Sequence, residues 1–211
     1  MQLTKLGHAG VRLQKDGATL VIDPGVWSGA DALTGAHAVL VTHEHFDHLD
    51  ADAVRAALGA ESALQLWTNS SVASQFPEFS DRVHAVDHGD TFTAAGFDVH
   101  VYGSKHAVLD RAVPVVANTG FAVDGTLFHP GDSYTVPEDK VDTLLVPVSG
   151  PWLKFGDVAD YLREVAPQRG YWIHDALLND KGTALMGNLL NIVPTPSGPA
   201  TQLAPGSTVD L

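Results

Sequence analysis

Four side chains that can bind a divalent metal lie close together in the sequence: His43, His45, Asp47 and His48. Imidazole nitrogens bind zinc, iron and related ions, and a carboxylate can bind beside them. A polar loop can collect histidines by chance, and a lone histidine usually has a structural role. Three histidines and an aspartate in this order are rarely structural. We therefore predict that the cluster binds one metal ion or two adjacent ones.

The segments on either side of this cluster indicate how it is positioned. Residues 38–41 form an apolar run that is typical of a buried strand, and residues 51–58 have the composition of a helix. Asp50 lies where the N-cap of that helix is expected. The cluster is thus predicted to lie on a strand-to-helix loop. Ligands of open α/β sheets bind at such loops, beyond the carboxyl ends of the strands.

Three further polar residues follow apolar runs later in the chain: His106, Asp132 and His174. Each could supply a metal ligand from the end of a strand. On the residues alone, His106 and His174 could equally be structural histidines. The chain has no Gly-x-Ser-x-Gly sequence, so a serine nucleophile of that type is not indicated.

The motif His43-x-His45-x-Asp47-His48 resembles the metal-binding signature of the metallo-β-lactamase superfamily. Residues 6–10 (Leu-Gly-His-Ala-Gly) and residues 22–24 (Ile-Asp-Pro) are similar to its small metal-dependent hydrolases, including the ascorbate-6-phosphate lactonase-like branch. The resemblance extends over nearly the whole chain. It implies a four-layer αββα sandwich of the α/β class.

The resemblance also implies ligands for two metal ions. They are His43, His45 and His106 for the first ion, Asp47, His48 and His174 for the second, and Asp132 as a bridge. The shared carboxylate would offset the repulsion between the two cations. Nothing in the chain departs from this ligand pattern.

Three other residues are candidates for the surroundings of the site. His8 lies in a Gly-His-Ala-Gly turn that the resemblance places near the active site, so we expect it, with Asp47, to act in catalysis. Asp23 is expected to orient a ligand histidine, because a metal-bound imidazole usually donates its other nitrogen to a carboxylate or carbonyl. Trp152 lies in a rigid aromatic loop. It either packs against an outer helix or forms a wall of the substrate pocket, and both interpretations stay open.

The composition narrows the function classes. The chain has 211 residues, a formal net charge of −13 and no cysteine. Nucleic acid is not an expected partner, because affinity for phosphate backbones depends on lysine and arginine. Without cysteine, a metal must be bound by nitrogen and oxygen. No apolar run is long enough to span a membrane, and the N-terminal residues lack the apolar core of a secretory signal, so a cytoplasmic protein is expected.

Antiparallel hairpins followed by strand–helix pairs occur twice, before and after about residue 110. Asp16-Gly17 and Asp124-Gly125 predict hairpin turns, and residues 157–165 predict an amphipathic helix. We expect two sheets that face each other with helices outside, in a single domain of residues 1–211.

Two smaller features complete the predicted elements. Ser70 or Ser71 is the expected N-cap of a short helix. The segment from residue 191 is rich in Pro, Gly, Ser and Thr, which is compatible with disorder. For residues 203–211 we favour a turn and a short final strand.

The leading functional hypothesis is a metal-dependent hydrolase, in which hydroxide bound to two metal ions attacks an ester, a lactone or a phosphoester of a small molecule. Zinc is the first choice of metal, and manganese and iron are also compatible with the ligands. The alternatives are an iron-dependent redox enzyme on the same fold and a non-catalytic metal-binding protein. The resemblance further suggests a homodimer.

Overall fold

The computed structural model describes all 211 residues of the chain. The strands are β1 (Gln2–Gly7), β2 (Gly10–Lys15), β3 (Ala18–Ile22), β4 (Ala38–Val41), β5 (Gln65–Thr68), β6 (Val83–Ala85), β7 (Thr91–Ala94), β8 (Phe97–Tyr102), β9 (Gly120–Val123), β10 (Leu127–His129), β11 (Thr143–Pro147), β12 (Arg169–Ile173) and β13 (Thr208–Asp210). The helices are α1 (Ala51–Ala60), α2 (Ser70–Ala73), α3 (Phe155–Val165) and α4 (Asp180–Leu190), with a short 3-10 helix at Pro77–Phe79.

The strands form two mixed sheets. The first sheet has the order β13-β1-β2-β3-β4-β5-β6, and the second has the order β12-β11-β10-β9-β8-β7. Strands β3 to β6 run parallel in the first sheet, and β10 to β12 run parallel in the second. Parallel neighbours need crossover connections, which α1, α2 and α3 provide between their strands. Strands β1 and β8 are each linked to their parallel set through two antiparallel pairings, so they point the same way as that set.

Strand β11 shows how the layers are stacked. Its side chains alternate: Leu145 joins the core between the two sheets, while Leu144 and Val146 face the other way. Those two residues belong to a cluster that includes Val158 of α3 and Leu190 of α4. On the opposite outer face, α1 and α2 cover the first sheet. The predicted four-layer αββα sandwich is confirmed.

The division between the sheets differs from the sequence prediction. It falls between β6 and β7, near residue 88, rather than near residue 110. The reason is that the β7–β8 hairpin pairs onward with β9, through Val99 and Val123, and so belongs to the second sheet. Periodicity along single strands does not reveal which strand a hairpin joins.

The predicted turns and the final strand are confirmed. Asp16-Gly17 and Asp124-Gly125 both have the positive φ angles that tight hairpins need. Strand β13 pairs antiparallel with β1, so residues 208–210 are ordered in the first sheet. The predicted serine cap was wrong, because the side chain of Asn69 caps α2 by accepting from Val72 N. No helix of the chain combines the length and apolarity needed to cross a membrane.

Candidate metal centre

Five strands deliver the candidate residues to one edge of the sandwich. In the first sheet His8 follows β1 directly, and the loop that begins at Thr42 follows β4. In the second sheet His106 follows β8, Asp132 follows β10 and His174 follows β12. Since the carboxyl ends of parallel strands meet at one edge of a sheet, residues distant in sequence become neighbours there.

The first ligand group, His43, His45 and His106, brings three imidazoles together beside Asp132. The candidate ligand atoms of these four residues all lie within 4.8 Å of one another. His43 Nε2 is 3.0 Å from His45 Nδ1, and His106 Nε2 is 3.3 Å from Asp132 Oδ2. The family resemblance implied this group, and the structure brings its residues together.

The second ligand group is Asp47, His48 and His174. His174 Nε2 lies 3.5 Å from Asp47 Oδ2 and 3.0 Å from Asp132 Oδ2, while His48 Nε2 lies 3.0 Å from Asp132 Oδ1. Asp132 therefore faces both groups: Oδ2 is near His106 and His174, and Oδ1 is near His48.

The buried polar atoms of the cluster fit a metal. His48 Nε2, His106 Nε2 and Asp132 Oδ1 have no hydrogen-bond partner. A buried group without a partner costs about 1–3 kcal/mol, so three of them together need an explanation. Each nevertheless lies close to another potential ligand atom. Cations bound among these nitrogen and oxygen atoms would satisfy all of them.

Asp23 fixes the orientation of two histidines of the cluster. Its Oδ2 accepts a hydrogen bond of 2.6 Å from His48 Nδ1 and one of 2.7 Å from the Thr42 hydroxyl. Thr42 Oγ1 in turn accepts from His43 Nδ1 at 3.0 Å. Because both Nδ1 atoms donate away from the cluster, the Nε2 atoms of His43 and His48 are the ones that face it. His106 is oriented in the same way, with Nδ1 donating to the Ala107 carbonyl at 2.6 Å.

His8 lies beside the second ligand group but is held as a hydrogen-bond donor. Its Nδ1 accepts from the backbone N–H of Ala176 at 3.2 Å, so the ring proton is on Nε2. Nε2 lies 3.1 Å from Asp47 Oδ2 and donates to it. A protonated nitrogen cannot bind a cation, so His8 supports Asp47 and is not itself a ligand.

The electrostatics of the cluster keep most ligands ready for a cation. Burial lowers the pKa of His43 well below its ordinary value, and the neighbouring His48 adds to this effect. Burial raises the pKa of Asp132, but His48, His106 and His174 outweigh burial and hold that pKa well below its usual range. His48 is the exception, because Asp132 and Asp23 overcome its burial and raise its pKa well above the ordinary value. A cation bound there must displace a proton.

Known proteins resemble this chain in sequence and in fold. The beta-lactamase superfamily domain matches residues 2–171 of the chain. The chain belongs to the metallo-β-lactamase superfamily.

Individual relatives span most of the chain. The protein Rv0786c of Mycobacterium tuberculosis is 36% identical to this chain over 84% of the chain and 85% of its own length. A UPF0173 metal-dependent hydrolase of Rhizobium etli is 26% identical over 64% of this chain and 61% of its own. The solved structure of Igni18, a metallo hydrolase from Ignicoccus hospitalis, superposes with a TM-score of 0.72 at 17% identity, covering 99% and 97% of the two chains.

A cavity of 340 Å³ opens above the ligands of this superfamily member. His45, Asp47, His106, Asp132 and His174 line its floor. A larger cavity of 640 Å³ lies between the loop after β3 and helix α1, but mostly small side chains line it and none of the candidate ligands does. The smaller cavity is therefore the candidate substrate site.

Trp152 has both of the roles that the sequence left open. Its ring lies 5.8 Å from the rings of His106 and His174, centre to centre, and lines the cavity. The indole also makes an edge contact with Tyr134, which contacts Tyr161 of helix α3. The indole therefore joins the outer helix to the wall of the site.

Sequence reasoning missed Lys5, which is almost completely buried beneath the second ligand group. Its Nζ donates to the carbonyls of His8 and Trp172, the latter at 2.9 Å, and lies 3.1 Å from Asp175 Oδ1. Burial lowers its pKa despite the opposing effect of Asp175. A signal was present, since the period of two in β1 puts Lys5 on the same buried face as Leu3 and Gly7.

Proposed function

We propose that this metal-dependent hydrolase of the metallo-β-lactamase superfamily binds two divalent ions and cleaves an ester, a lactone or a phosphoester of a small molecule. The position of Asp132 carries the proposal. Its two oxygens face histidines of both ligand groups: Oδ2 lies 3.3 Å from His106 Nε2 of the first group, and Oδ1 lies 3.0 Å from His48 Nε2 of the second. A carboxylate so placed offsets the mutual repulsion of two cations.

Some residues of the site would bind the metal ions, and His8 would hold a ligand carboxylate in place through a hydrogen bond. The first ligand group would hold one ion, the second ligand group the other, and Asp132 would contact both. Bound divalent ions lower the pKa of water from about 16 to about 7 and polarise the scissile group. His8 keeps Asp47 ionised and fixed through its Nε2 proton. Trp27 and Trp152 line the cavity beside its floor and give it apolar walls.

We propose zinc as the native ion. The ligand set contains only nitrogen and oxygen, since the chain has no cysteine, and manganese and iron fit such a set as well. Elemental analysis after reconstitution with each metal tests this assignment. We expect two zinc ions per chain. A maximum of one ion would show that the second ligand group is not a site, and no bound ion would refute the proposal.

Turnover tests the reaction class. Metal-loaded protein would be assayed with p-nitrophenyl acetate, a simple δ-lactone and bis(p-nitrophenyl) phosphate, before and after treatment with a chelator. We expect hydrolysis of at least one of these compounds, lost on chelation and restored by added metal. Hydrolysis that persists without metal, or no hydrolysis by protein with two ions bound, would refute the proposed chemistry.

A further inference from the structure

Six apolar residues form the wall and rim of the cavity above the ligands: Trp27, Phe46, Leu109, Pro151, Trp152 and Leu177. The rim is exposed, with 37% of Trp27, 59% of Phe46, 39% of Leu109 and 54% of Leu177 accessible to solvent. Exposed apolar side chains that occur singly need no explanation, whereas a contiguous patch marks a binding site.

The rim is assembled from separate parts of the chain. Trp27 follows β3, Phe46 lies on the loop after β4, Leu109 follows His106, and Leu177 follows His174. The rings of Trp27 and Phe46 pack edge to face, with their centres 5.2 Å apart. Burying these side chains in the core would have been more favourable for stability. Their convergence on the one cavity that holds the candidate ligands therefore points to ligand binding.

The charged residues that line the cavity also indicate which class of substrate it binds. No lysine or arginine lines it, and its charged residues are the two carboxylates of the floor, Asp47 and Asp132. Proteins recognise the arms of phosphate esters with arginine forks and lysines, and none is available here. Metal ions at the floor would engage the scissile group of an ester or a phosphoester alike, so the walls must discriminate between them.

From these observations we infer that the substrate is a neutral carboxylic ester or lactone carrying a short apolar chain, and not a phosphoester. The inference rests on the proposed function and narrows it. The carbonyl lies toward the floor, and the apolar chain lies against Phe46 and Leu177 at the rim. The cavity of 340 Å³ is near the lower end of the range for small-molecule sites, so it limits the chain to a short one.

Chain length is the sharpest test. Metal-loaded enzyme would be assayed with p-nitrophenyl acetate, butyrate and hexanoate, and with bis(p-nitrophenyl) phosphate as the anionic counterpart. We expect kcat/KM to rise by up to about fourfold per buried methylene, equivalent to about 0.8 kcal/mol. A flat chain-length profile, or preferred hydrolysis of the phosphodiester, would overturn the substrate class and leave the hydrolase assignment intact.

A binding measurement distinguishes a failure of the substrate inference from a failure of the proposed hydrolytic function. The ketone 2-octanone has a carbonyl and an apolar chain but no bond to hydrolyse, and its binding to the metal-loaded enzyme can be followed by tryptophan fluorescence. Saturable binding, tighter than that of 2-butanone, supports the inference. If the ketone binds and neither the esters nor the phosphodiester is cleaved, the proposed function fails while the apolar site stands. If 2-octanone binds no more tightly than 2-butanone, the inference is overturned.

Matched variants locate the apolar contact. Phe46→Ser and Leu177→Ser should lower kcat/KM for the hexanoate ester at least threefold, and change the acetate value much less. Leu185→Ser is the control, since Leu185 is a leucine of similar exposure, 60%, on α4 away from the cavity. Equal effects of Leu177→Ser and Leu185→Ser on the ratio of hexanoate to acetate rates would contradict the assigned contact.

Discussion

Asp132 is held in place by the backbone around it as firmly as by its ionic neighbours. Its backbone N–H donates to Asn118 Oδ1 at 3.0 Å, and Asn118 Nδ2 donates to the Pro130 carbonyl at 2.8 Å. Gly131 has a positive φ, and a side chain there would meet both Asn118 and Thr42. The carboxylate therefore arrives between the two ligand groups on a turn that has little freedom to move.

Replacing Asp132 with asparagine should uncouple the two ligand groups. The variant Asp132→Asn keeps the size of the side chain but removes the charge that offsets two cations. We expect the first metal to stay largely bound and the second to weaken by at least about 10–100-fold, with turnover falling in parallel. Titration of metal into the apo variant measures both affinities.

Two tight sites with normal turnover in Asp132→Asn would show that Asp132 is no bridge. Asp160→Asn, at an exposed position on α3, is the control.

Loss of His8 should slow turnover without removing metal. His8 donates to Asp47 through Nε2 and is not itself a ligand, so His8→Ala should lower kcat while metal content stays normal. Glutamine can donate through its amide, so His8→Gln should recover part of the loss. Parallel measurements of kcat and bound metal check this. Metal content that falls together with activity would place His8 among the ligands.

At the scale of residues, the sequence was informative where chemistry is local. His43, His45, Asp47 and His48 lie on one loop, so their spacing alone indicates a shared site. The rim residues and Lys5 were not predicted, because their roles depend on which loops meet in three dimensions. An exposed leucine such as Leu177 has nothing in its own sequence neighbourhood that distinguishes it from Leu185.

At the scale of elements, the loop after β4 depends on the segment after β3 for support. Val26 N donates to the Phe46 carbonyl at 2.9 Å, and Asp50 N donates to the Pro24 carbonyl at 3.0 Å. Gly25 lies between these two contacts, where a Cβ would overlap the backbone of Asp47 and come within 2.6 Å of His48 N. The two segments are packed backbone to backbone, so neither can shift alone.

A methyl group at Gly25 should therefore displace the ligand loop. We expect Gly25→Ala to destabilise the protein by about 1–3 kcal/mol, as overpacking does, and to weaken metal binding at the second ligand group. Gly59→Ala is the matched control. Gly59 lies in α1 with open space around it, so alanine there should be neutral or stabilising by up to about 1 kcal/mol. Urea unfolding and metal titration measure both effects, and a Gly25→Ala variant with wild-type values would contradict the packing argument.

Lys5 of β1 should be needed to compensate the buried carboxylate of Asp175, which follows β12. The variant Lys5→Met leaves the buried carboxylate of Asp175 without its cation, which typically costs about 3–5 kcal/mol. Urea unfolding measures the loss. Adding Asp175→Asn should recover part of it, because the uncompensated charge is removed. If the double variant is no more stable than Lys5→Met, the two side chains are not energetically coupled.

The predicted elements were most accurate where turn chemistry is specific. Asp16-Gly17 and Asp124-Gly125 fixed two hairpins, and helix α3 follows its apolar spacing. Helix α4 was not predicted, because glycines at positions 182 and 187 interrupt its sequence and its buried residues are few. Its buried residues Met186 and Leu190 pack on the second sheet, so tertiary contacts decide its conformation.

At the scale of the whole molecule, the site lies across the two sheets. The first sheet contributes His8 and the loop from residue 42, and the second contributes His106, Asp132 and His174. Metal ions bound there would link the sheets at one edge. Their binding free energy would then add to the stability of the folded chain, because the unfolded chain has no assembled site.

Metal should therefore raise the midpoint of thermal unfolding. At a free metal concentration of 100 times Kd, one site adds about 2.7 kcal/mol, and a chain of this size gains about 2–4 °C per kcal/mol. We expect a rise of about 5–10 °C per site, reversed by a chelator. Calorimetry of apo and loaded protein measures it. His106→Ala should reduce the rise, and an unchanged midpoint in metal-saturated wild type would contradict the linkage.

Phe46 stands between His45 and Asp47 on a single turn of backbone, yet its ring is mostly exposed and belongs to none of the buried clusters. A new side chain at residue 46 would change which molecules the cavity admits while the neighbouring ligands keep their places. Substitutions at this position would therefore change the substrate range of the enzyme during evolution, while each intermediate variant keeps its metal ligands and its activity. Laboratory evolution of this chain would accordingly begin best by randomising codon 46.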